Sequence, residues 1–123
     1  MRYFADTYAL IEYVRGNKKY YPYFVEHEIR TSKMNLYELY YSILNENGEE
    51  LAEKYYSYFL TKIVPIEDEN IKEAAHFRVR HKSKELSYID CLGYSLARNH
   101  QILFLTGDKG FKDIENVEWV SKK

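Results

Sequence analysis

Four acidic residues stand where chemistry could be done, and they are scattered along the chain: Asp6, Glu38, Asp90 and Asp108. Taken singly, each has an ordinary explanation. Asp6 follows a short apolar run and precedes a helix-like segment, where an Asp commonly caps the helix by accepting a backbone N–H. Asp108 closes Thr106-Gly107-Asp108, a composition typical of turns. Glu38 has Ser42 and Asn45 at i+4 and i+7, a polar stripe of the kind that faces water. Asp90 lies three residues after Ser87, the spacing of a capping box. Its helical neighbours, however, are Gly93, Tyr94 and Ala97, a small and aromatic face that suits packing against the body of a fold. Asp90 therefore reads equally well as a cap and as a working carboxylate.

Together the four acids suggest something more specific. Carboxylates brought to about 5 Å at an effective dielectric near 20 repel by roughly 3 kcal/mol per pair. A fold keeps such a cluster only if a cation occupies it or some carboxyls take up protons. Ligands that are all oxygen suit Mg²⁺ or Mn²⁺. A cation held that way polarises a phosphoryl oxygen and generates a nucleophile from water, which points to displacement at phosphorus.

The elements that would position these acids can be read from the pattern. Arg2–Ala5 reads as a buried strand, and Asp6-Thr7 opens a helix carrying Ala9, Leu10, Tyr13 and Val14 that stops at Gly16-Asn17. A second helix is expected over Lys19–Glu28 and a short strand over Ile29–Met34. Asn35 is expected to cap a helix bearing Leu36, Leu39, Tyr40 and Ile43, ending near Asn47-Gly48, with another over Glu49–Leu60. Ile63–Ile66 reads as a strand end. Asp68 starts a helix with Ile71, Ala74, Ala75 and Arg78, and Ser87 opens one through Asn99. Gln101–Leu105 is the clearest strand, and Val117–Val120 the last. Strands alternating with helices imply parallel pairing and both sheet faces covered. The expected fold class is α/β, three layers, with a mostly parallel central sheet flanked by helices. Such sheets place their sites outside the carboxyl ends of the strands, where Asp6 and Asp108 fall by sequence.

Bulk properties narrow the classes. With 123 residues the chain fits one compact domain, residues 1–123, with a core able to fold without disulfides. A net charge of −1 excludes a protein that coats nucleic acid through overall basicity. One cysteine, Cys91, excludes an internal disulfide and a Cys-based zinc site, and reads as a small buried apolar residue. No run of about 18 apolar residues is present. Asp6 falls where a signal peptide would extend its apolar stretch, so a cytoplasmic protein is expected. Tyr is abundant at 14 copies, and its apolar body with a polar tip suits half-buried surfaces and partner contacts.

Several stretches then resemble a known family. Phe4-Ala5-Asp6-Thr7-Tyr8-Ala9-Leu10-Ile11 is similar to the opening of PIN domains, where an Asp-Thr pair ends the first strand. Asn35-Leu36-Tyr37-Glu38-Leu39 resembles the helix carrying the family's Glu. Leu86-Ser87-Tyr88-Ile89-Asp90-Cys91-Leu92 resembles the segment of its third acid, and Leu103–Phe111, with Leu105-Thr106-Gly107-Asp108 and Phe111, the signature of its fourth. The resemblance spans essentially the whole chain, and four motifs in order are far more specific than any one. It implies a PIN-like fold and Asp6, Glu38, Asp90 and Asp108 as metal ligands and catalytic acids, with Thr106 as an active-site hydroxyl. It also implies Mg²⁺ or Mn²⁺ as cofactor, RNA as substrate, and the toxin role of a VapBC toxin–antitoxin pair, with a separate antitoxin and a homodimer. Asp113 is a possible extra acid whose bland reading is a surface turn residue. Tyr8 and Cys91 depart from the residues usual in the family, and neither removes an acid.

The one local basic cluster is Arg78, Arg80, His81, Lys82 and Lys84. It reads either as a helix C-terminus favoured by its dipole or as phosphate contacts, with Arg78, Arg80, Lys82 and Lys84 touching RNA. Two other functions compete. A phosphohydrolase of the haloacid dehalogenase type wants Asp-x-Asp after the first strand, whereas Asp6 is followed by Thr7 and Tyr8; a receiver domain also wants paired early acids. A catalytically silent interaction module on the same scaffold is disfavoured by the intact acidic set.

Overall fold

The computed structural model describes residues 1–123. The elements run β1 (Arg2–Ala5), α1 (Thr7–Val14), α2 (Tyr21–Val25), β2 (Glu28–Arg30), α3 (Lys33–Asn47), α4 (Glu49–Leu60), α5 (Asp68–Arg80), α6 (Tyr88–Asn99), β3 (Leu103–Thr106) and β4 (Val117–Trp119). Two short 3₁₀ turns, Lys82–Lys84 and Lys109–Phe111, flank α6 and β3. The strands form one sheet in the order β2-β1-β3-β4, and every pairing is parallel. This is the expected α/β architecture, and β1 and β3, the two strands that end in candidate acids, are neighbours at its centre. Phe4 stands opposite Phe104 and Ala5 opposite Leu105, so Asp6 leaves the sheet level with Thr106.

Side-chain alternation along β1 and β3 divides the interior in two. Tyr3, Ala5 and Leu105 join Ala9 and Leu10 of α1, Leu36, Leu39 and Ile43 of α3, and Ala52 and Phe59 of α4. Phe4 and Phe104 point to the other face, against Ala74 and Phe77 of α5, Tyr94, Leu96 and Ala97 of α6, and Phe111. Helix α6 comes close to the sheet because Gly93 offers no side chain: a Cβ there would lie 2.9 Å from the Phe4 ring and 3.1 Å from the Phe104 ring. The deepest phenols, Tyr20 and Tyr94, donate at 2.6 Å to the carbonyls of Val120 and Glu115, which satisfies their polar tips and ties the C-terminal stretch to the body.

Some boundaries differ from the sequence reading. The helix expected over Lys19–Glu28 is only Tyr21–Val25, because Glu28–Arg30 is taken by the parallel ladder with Arg2–Phe4. Tertiary pairing there overrides local helix preference. The strand expected over Ile29–Met34 accordingly shrinks to Glu28–Arg30 and starts one residue earlier. Ser32, not Asn35, caps α3: its hydroxyl accepts from the Asn35 N–H, so Asn35 lies inside the first turn. Ile63–Ile66 makes only a single bridge, Thr31 to Ile63. The Gln101–Leu105 strand is shifted to Leu103–Thr106.

Candidate active site

Asp6 is the most enclosed of the four acids, 1% exposed at the junction of β1 and α1. It caps α1, its Oδ1 accepting from the Ala9 N–H at 2.8 Å. Its Oδ2 accepts from the Thr106 hydroxyl at the end of β3. The Thr106 oxygen in turn accepts from the Asp108 N–H at 3.0 Å. Thr106 is thus a rivet between the first acid and the turn that carries the last. Burial pushes the Asp6 carboxyl up to about 8; the Thr106 and Ala9 hydrogen bonds oppose this, and the charges of Asp90 and Asp108 reinforce it.

Asp90 sits in the first turn of α6 and forms a capping box with Ser87. The Ser87 N–H donates to Asp90 Oδ2 at 3.1 Å, and the Asp90 N–H donates to Ser87 Oγ at 3.0 Å. Its carboxyl is also raised, first by burial, with the Ser87 bonds opposing and the charges of Asp108 and Glu38 adding to the rise. Asp108 is half-buried; its Oδ1 accepts from the Gly110 N–H at 2.8 Å and its carbonyl from Trp119 Nε1 at 2.9 Å. The residue before it must be glycine, since a Cβ on Gly107 would lie 2.4 Å from both the Tyr20 hydroxyl and the Tyr8 ring and 2.7 Å from the Val120 carbonyl. Glu38 is half-buried on α3, and its Oε1 accepts from the Thr7 hydroxyl at 2.5 Å.

The fold therefore brings acids from four separate elements toward the carboxyl ends of β1 and β3: the charges of Asp90 and Asp108 bear on Asp6, and those of Asp108 and Glu38 on Asp90. No basic side chain pairs with them: the ion pairs of the molecule join Arg15 to Glu12 and Glu46, Arg30 to Glu28, and Lys122 to Glu12. As they stand, no three His, Cys, Asp or Glu side chains converge tightly enough to hold a metal ion. Each of the four carboxyls accepts from an N–H or O–H donor close by. The donor set itself, all carboxylate oxygen and unpaired with any Lys or Arg, fits a hard divalent ion.

The basic cluster lies at the end of α5 and in the turn that follows, and only Lys84 of it is placed against the turn that carries Asp108. Arg78 is already engaged: its Nε donates to the Leu86 carbonyl at 2.9 Å, and its guanidinium lies over the Tyr88 ring at 4.1 Å. Arg80 lines a polar cleft with His76 and Arg98. Lys82 and Lys84 are exposed, and the Lys84 backbone approaches Gly110, which bonds Asp108. Asp113 is exposed beyond the second 3₁₀ turn. Cys91 is buried and its thiol is pushed up to about 11 by burial, as expected of a packing residue. The main apolar groove, about 450 Å³, does not cover the acids; it runs between α5 and α6 and is lined by Ile71, Ala75, Val79, Tyr88 and Leu92 among others.

Thr7 and Asn35 touch this site and were missed as functional residues in the sequence. Asn35 Nδ2 donates to Thr7 Oγ1 at 3.1 Å. The available signal was the i,i+3 spacing of Asn35 and Glu38, which puts both on one side of α3.

The family model described as PIN domain matches residues 3–117. The chain belongs to the PIN domain family. Among solved structures, it is similar to a toxin–antitoxin complex from Klebsiella pneumoniae, at 20% identity over 98% of this chain and 97% of that one, with a TM-score of 0.77. It is also similar to VapC20 of Mycobacterium tuberculosis, a sarcin-ricin loop cleaving toxin, at 16% identity over 89% of this chain and 91% of that one, with a TM-score of 0.75. VapBC2 from Rickettsia felis, bound to a promoter DNA fragment, matches at 21% identity over 98% of each chain with a TM-score of 0.75. At these identities the likeness carries the fold. No curated protein matches the chain.

Proposed function

We propose that this chain is a divalent-metal-dependent endoribonuclease and the toxin of a toxin–antitoxin pair. The observation that carries the reading is that, in a PIN domain, Asp6 and Asp90 lie within electrostatic reach of each other and of Asp108, with Glu38 in reach of Asp90, and no Lys or Arg pairs with any of them. Asp6, Glu38, Asp90 and Asp108 would hold Mg²⁺ or Mn²⁺. When bound, such an ion supplies Lewis-acid polarisation of a phosphoryl oxygen and eases deprotonation of water. The chain does the rest. Thr106 fixes the Asp6 carboxyl and the Asp108 backbone together. The Gly107 packing holds the turn against Tyr8 and Tyr20. Lys84, whose backbone approaches Gly110 next to Asp108, and exposed Lys82 would supply positive charge to RNA phosphates without sequence preference, with Arg78 and Arg80 as further contacts.

The structural neighbours include toxins solved with or named for their antitoxins, which supports a separate antitoxin for this chain. The exposed apolar groove between α5 and α6 supports burial against another chain, in an antitoxin complex or a homodimer. No helix is long and apolar enough to cross a membrane, and a cytoplasmic site of action accompanies the reading.

The test is cleavage of structured RNA by wild type and Asp90→Asn, with EDTA, Mg²⁺ or Mn²⁺. Cleavage is expected only with added metal and only in wild type; equal cleavage by the variant rejects the reading. A second reading, a silent interaction module, has one observation in its favour, the lack of three converged metal-ligating side chains. It predicts no cleavage under any metal.

A further inference from the structure

From the hydrogen bonds at the start of α3 we infer that Asn35 is a positioning residue, the middle of a directional relay that aims the Thr7 hydroxyl proton at Glu38. The inference rests on the metal-site reading above and adds to it a residue outside the acidic set. Asn35 is 1% exposed. Its backbone N–H donates to Ser32 Oγ at 3.3 Å, so the Ser32 oxygen is already used as an acceptor. The Ser32 proton then goes to Asn35 Oδ1 at 2.6 Å. With its oxygen on the Ser32 side, the amide accepts the hydroxyl proton there. The NH₂ is thereby turned to Thr7, donating to its Oγ1 at 3.1 Å. An amide NH₂ can only donate, so Thr7 accepts on that side and its single proton is free for Glu38 Oε1 at 2.5 Å.

The order of the chain makes this arrangement possible. Thr31 Oγ1 donates to the Ala5 carbonyl at 2.9 Å, pinning the entry to α3 against the end of β1, directly before Asp6 and Thr7. Ser32 starts α3, Asn35 occupies its first turn, and Glu38 follows one turn on. The relay therefore links the helix that carries the second acid to the strand end that carries the first. In this role Asn35 touches neither metal nor substrate. It decides the direction of a hydrogen bond that orients a ligand, and outer partners of that kind typically govern metal affinity by 10–100-fold.

The experiment is Mn²⁺ titration of the metal-free protein, read by calorimetry or by the Mn²⁺ electron-spin signal, for wild type, Asn35→Ala, Thr7→Val and the double variant. Each single change is expected to weaken Mn²⁺ about tenfold, and the double no more than either single, since both cut the same relay. In RNA cleavage at saturating Mn²⁺, Asn35→Ala is expected to lower kcat with KM unmoved. A purely structural role for Asn35 would lower the melting temperature and leave Mn²⁺ affinity alone. Wild-type Mn²⁺ affinity in Asn35→Ala, or additive losses in the double variant, overturns the relay while leaving the metal site standing. A wild-type protein that takes up no Mn²⁺ overturns both. Thr7→Val, at a half-buried position, keeps the test alive should Asn35→Ala fold poorly.

Discussion

Asp90 and Glu38 flank the same acidic site, but the chain holds them by different means. Asp90 is held by its own helix start: Ser87, three residues earlier, exchanges two hydrogen bonds with it. Glu38 is held across the chain, by a hydroxyl 31 residues away that is itself aimed by Asn35. Asp6 belongs with Glu38 in this respect, since Thr106 reaches it from 100 residues away. One half of the site is prepared by local sequence and the other only after β1, α3 and β3 have come together. The contrast teaches where the site is sensitive. Local changes on the α6 side should act mainly through stability, whereas changes on the α1–α3 side should act on the geometry of the acids.

The largest expected effect lies on the cross-chain side. Asp6 is buried without a cationic partner, and its folded carboxyl is raised to about 8 from an ordinary 3.8. The folded state therefore binds this proton more tightly than the unfolded chain. Metal-free stability attributable to Asp6 is fully present below about pH 4 and is lost as pH rises toward 8. Asp6→Asn removes that slope. In EDTA at pH 8 the variant should melt higher than wild type, and RNA cleavage should fall by about a thousandfold or more, the loss expected when metal-supplied stabilisation of several kcal/mol disappears. Added Mg²⁺ should raise the wild-type melting temperature and not the variant's. A variant that melts lower than wild type at pH 8 would mean that the buried charge is already compensated within the fold.

The same contrast explains what could be read from the chain. Asp90 with Ser87, and the turn Thr106-Gly107-Asp108, are local patterns, and so is the apolar run of β3; the alternating strands and helices that place these acids at sheet ends follow from periodicity. The relay was not legible because Ser32 displaces Asn35 as the cap, and which of two neighbouring polar residues caps a helix depends on how the chain enters it. That entry is fixed by Thr31 on the Ala5 carbonyl, a contact between distant segments. The half-buried state of Glu38 was hidden for the same reason. Its helical neighbours Ser42 and Asn45 suggest a wet face, and only the approach of α1 encloses it. The early end of α2 was decided by pairing of β2 with β1. The engagement of Arg78 with Leu86 and Tyr88 likewise depends on the bend between α5 and α6.

An intermediate effect tests how far the α6 side is truly local. The Ser87–Asp90 box fixes the side chain relative to α6, but the place of α6 itself depends on Gly93 lying against Phe4 and Phe104. Gly93→Ala puts a methyl 2.9 Å from one ring and 3.1 Å from the other. The rings must give way in a packed core, and overpacking of this kind costs about 1–3 kcal/mol. Urea unfolding should show that loss with an unchanged m-value, together with severalfold slower cleavage as α6 lifts Asp90 from the sheet edge. Unchanged stability would show that the aromatic core yields freely and that α6 is not held at its present distance by this glycine.

The smallest expected effect separates the two halves most sharply. Ser87→Ala removes the hydroxyl that accepts from the Asp90 N–H, and loss of such a cap costs about 1 kcal/mol. For a chain of this length that lowers the melting temperature by roughly 3–5 °C. The other bond of the box, from the Ser87 N–H to Asp90 Oδ2, belongs to the backbone and survives the substitution. Asp90 therefore keeps its local tether, and Mn²⁺ affinity should stay within about twofold of wild type even as stability falls. Asn35→Ala is expected to do the reverse, with a tenfold loss in affinity that its change in melting temperature does not track. Measured side by side, a Ser87→Ala protein that loses Mn²⁺ as severely as Asn35→Ala would show that both acids depend equally on their surroundings, and the division between a locally held and a cross-chain half would fall.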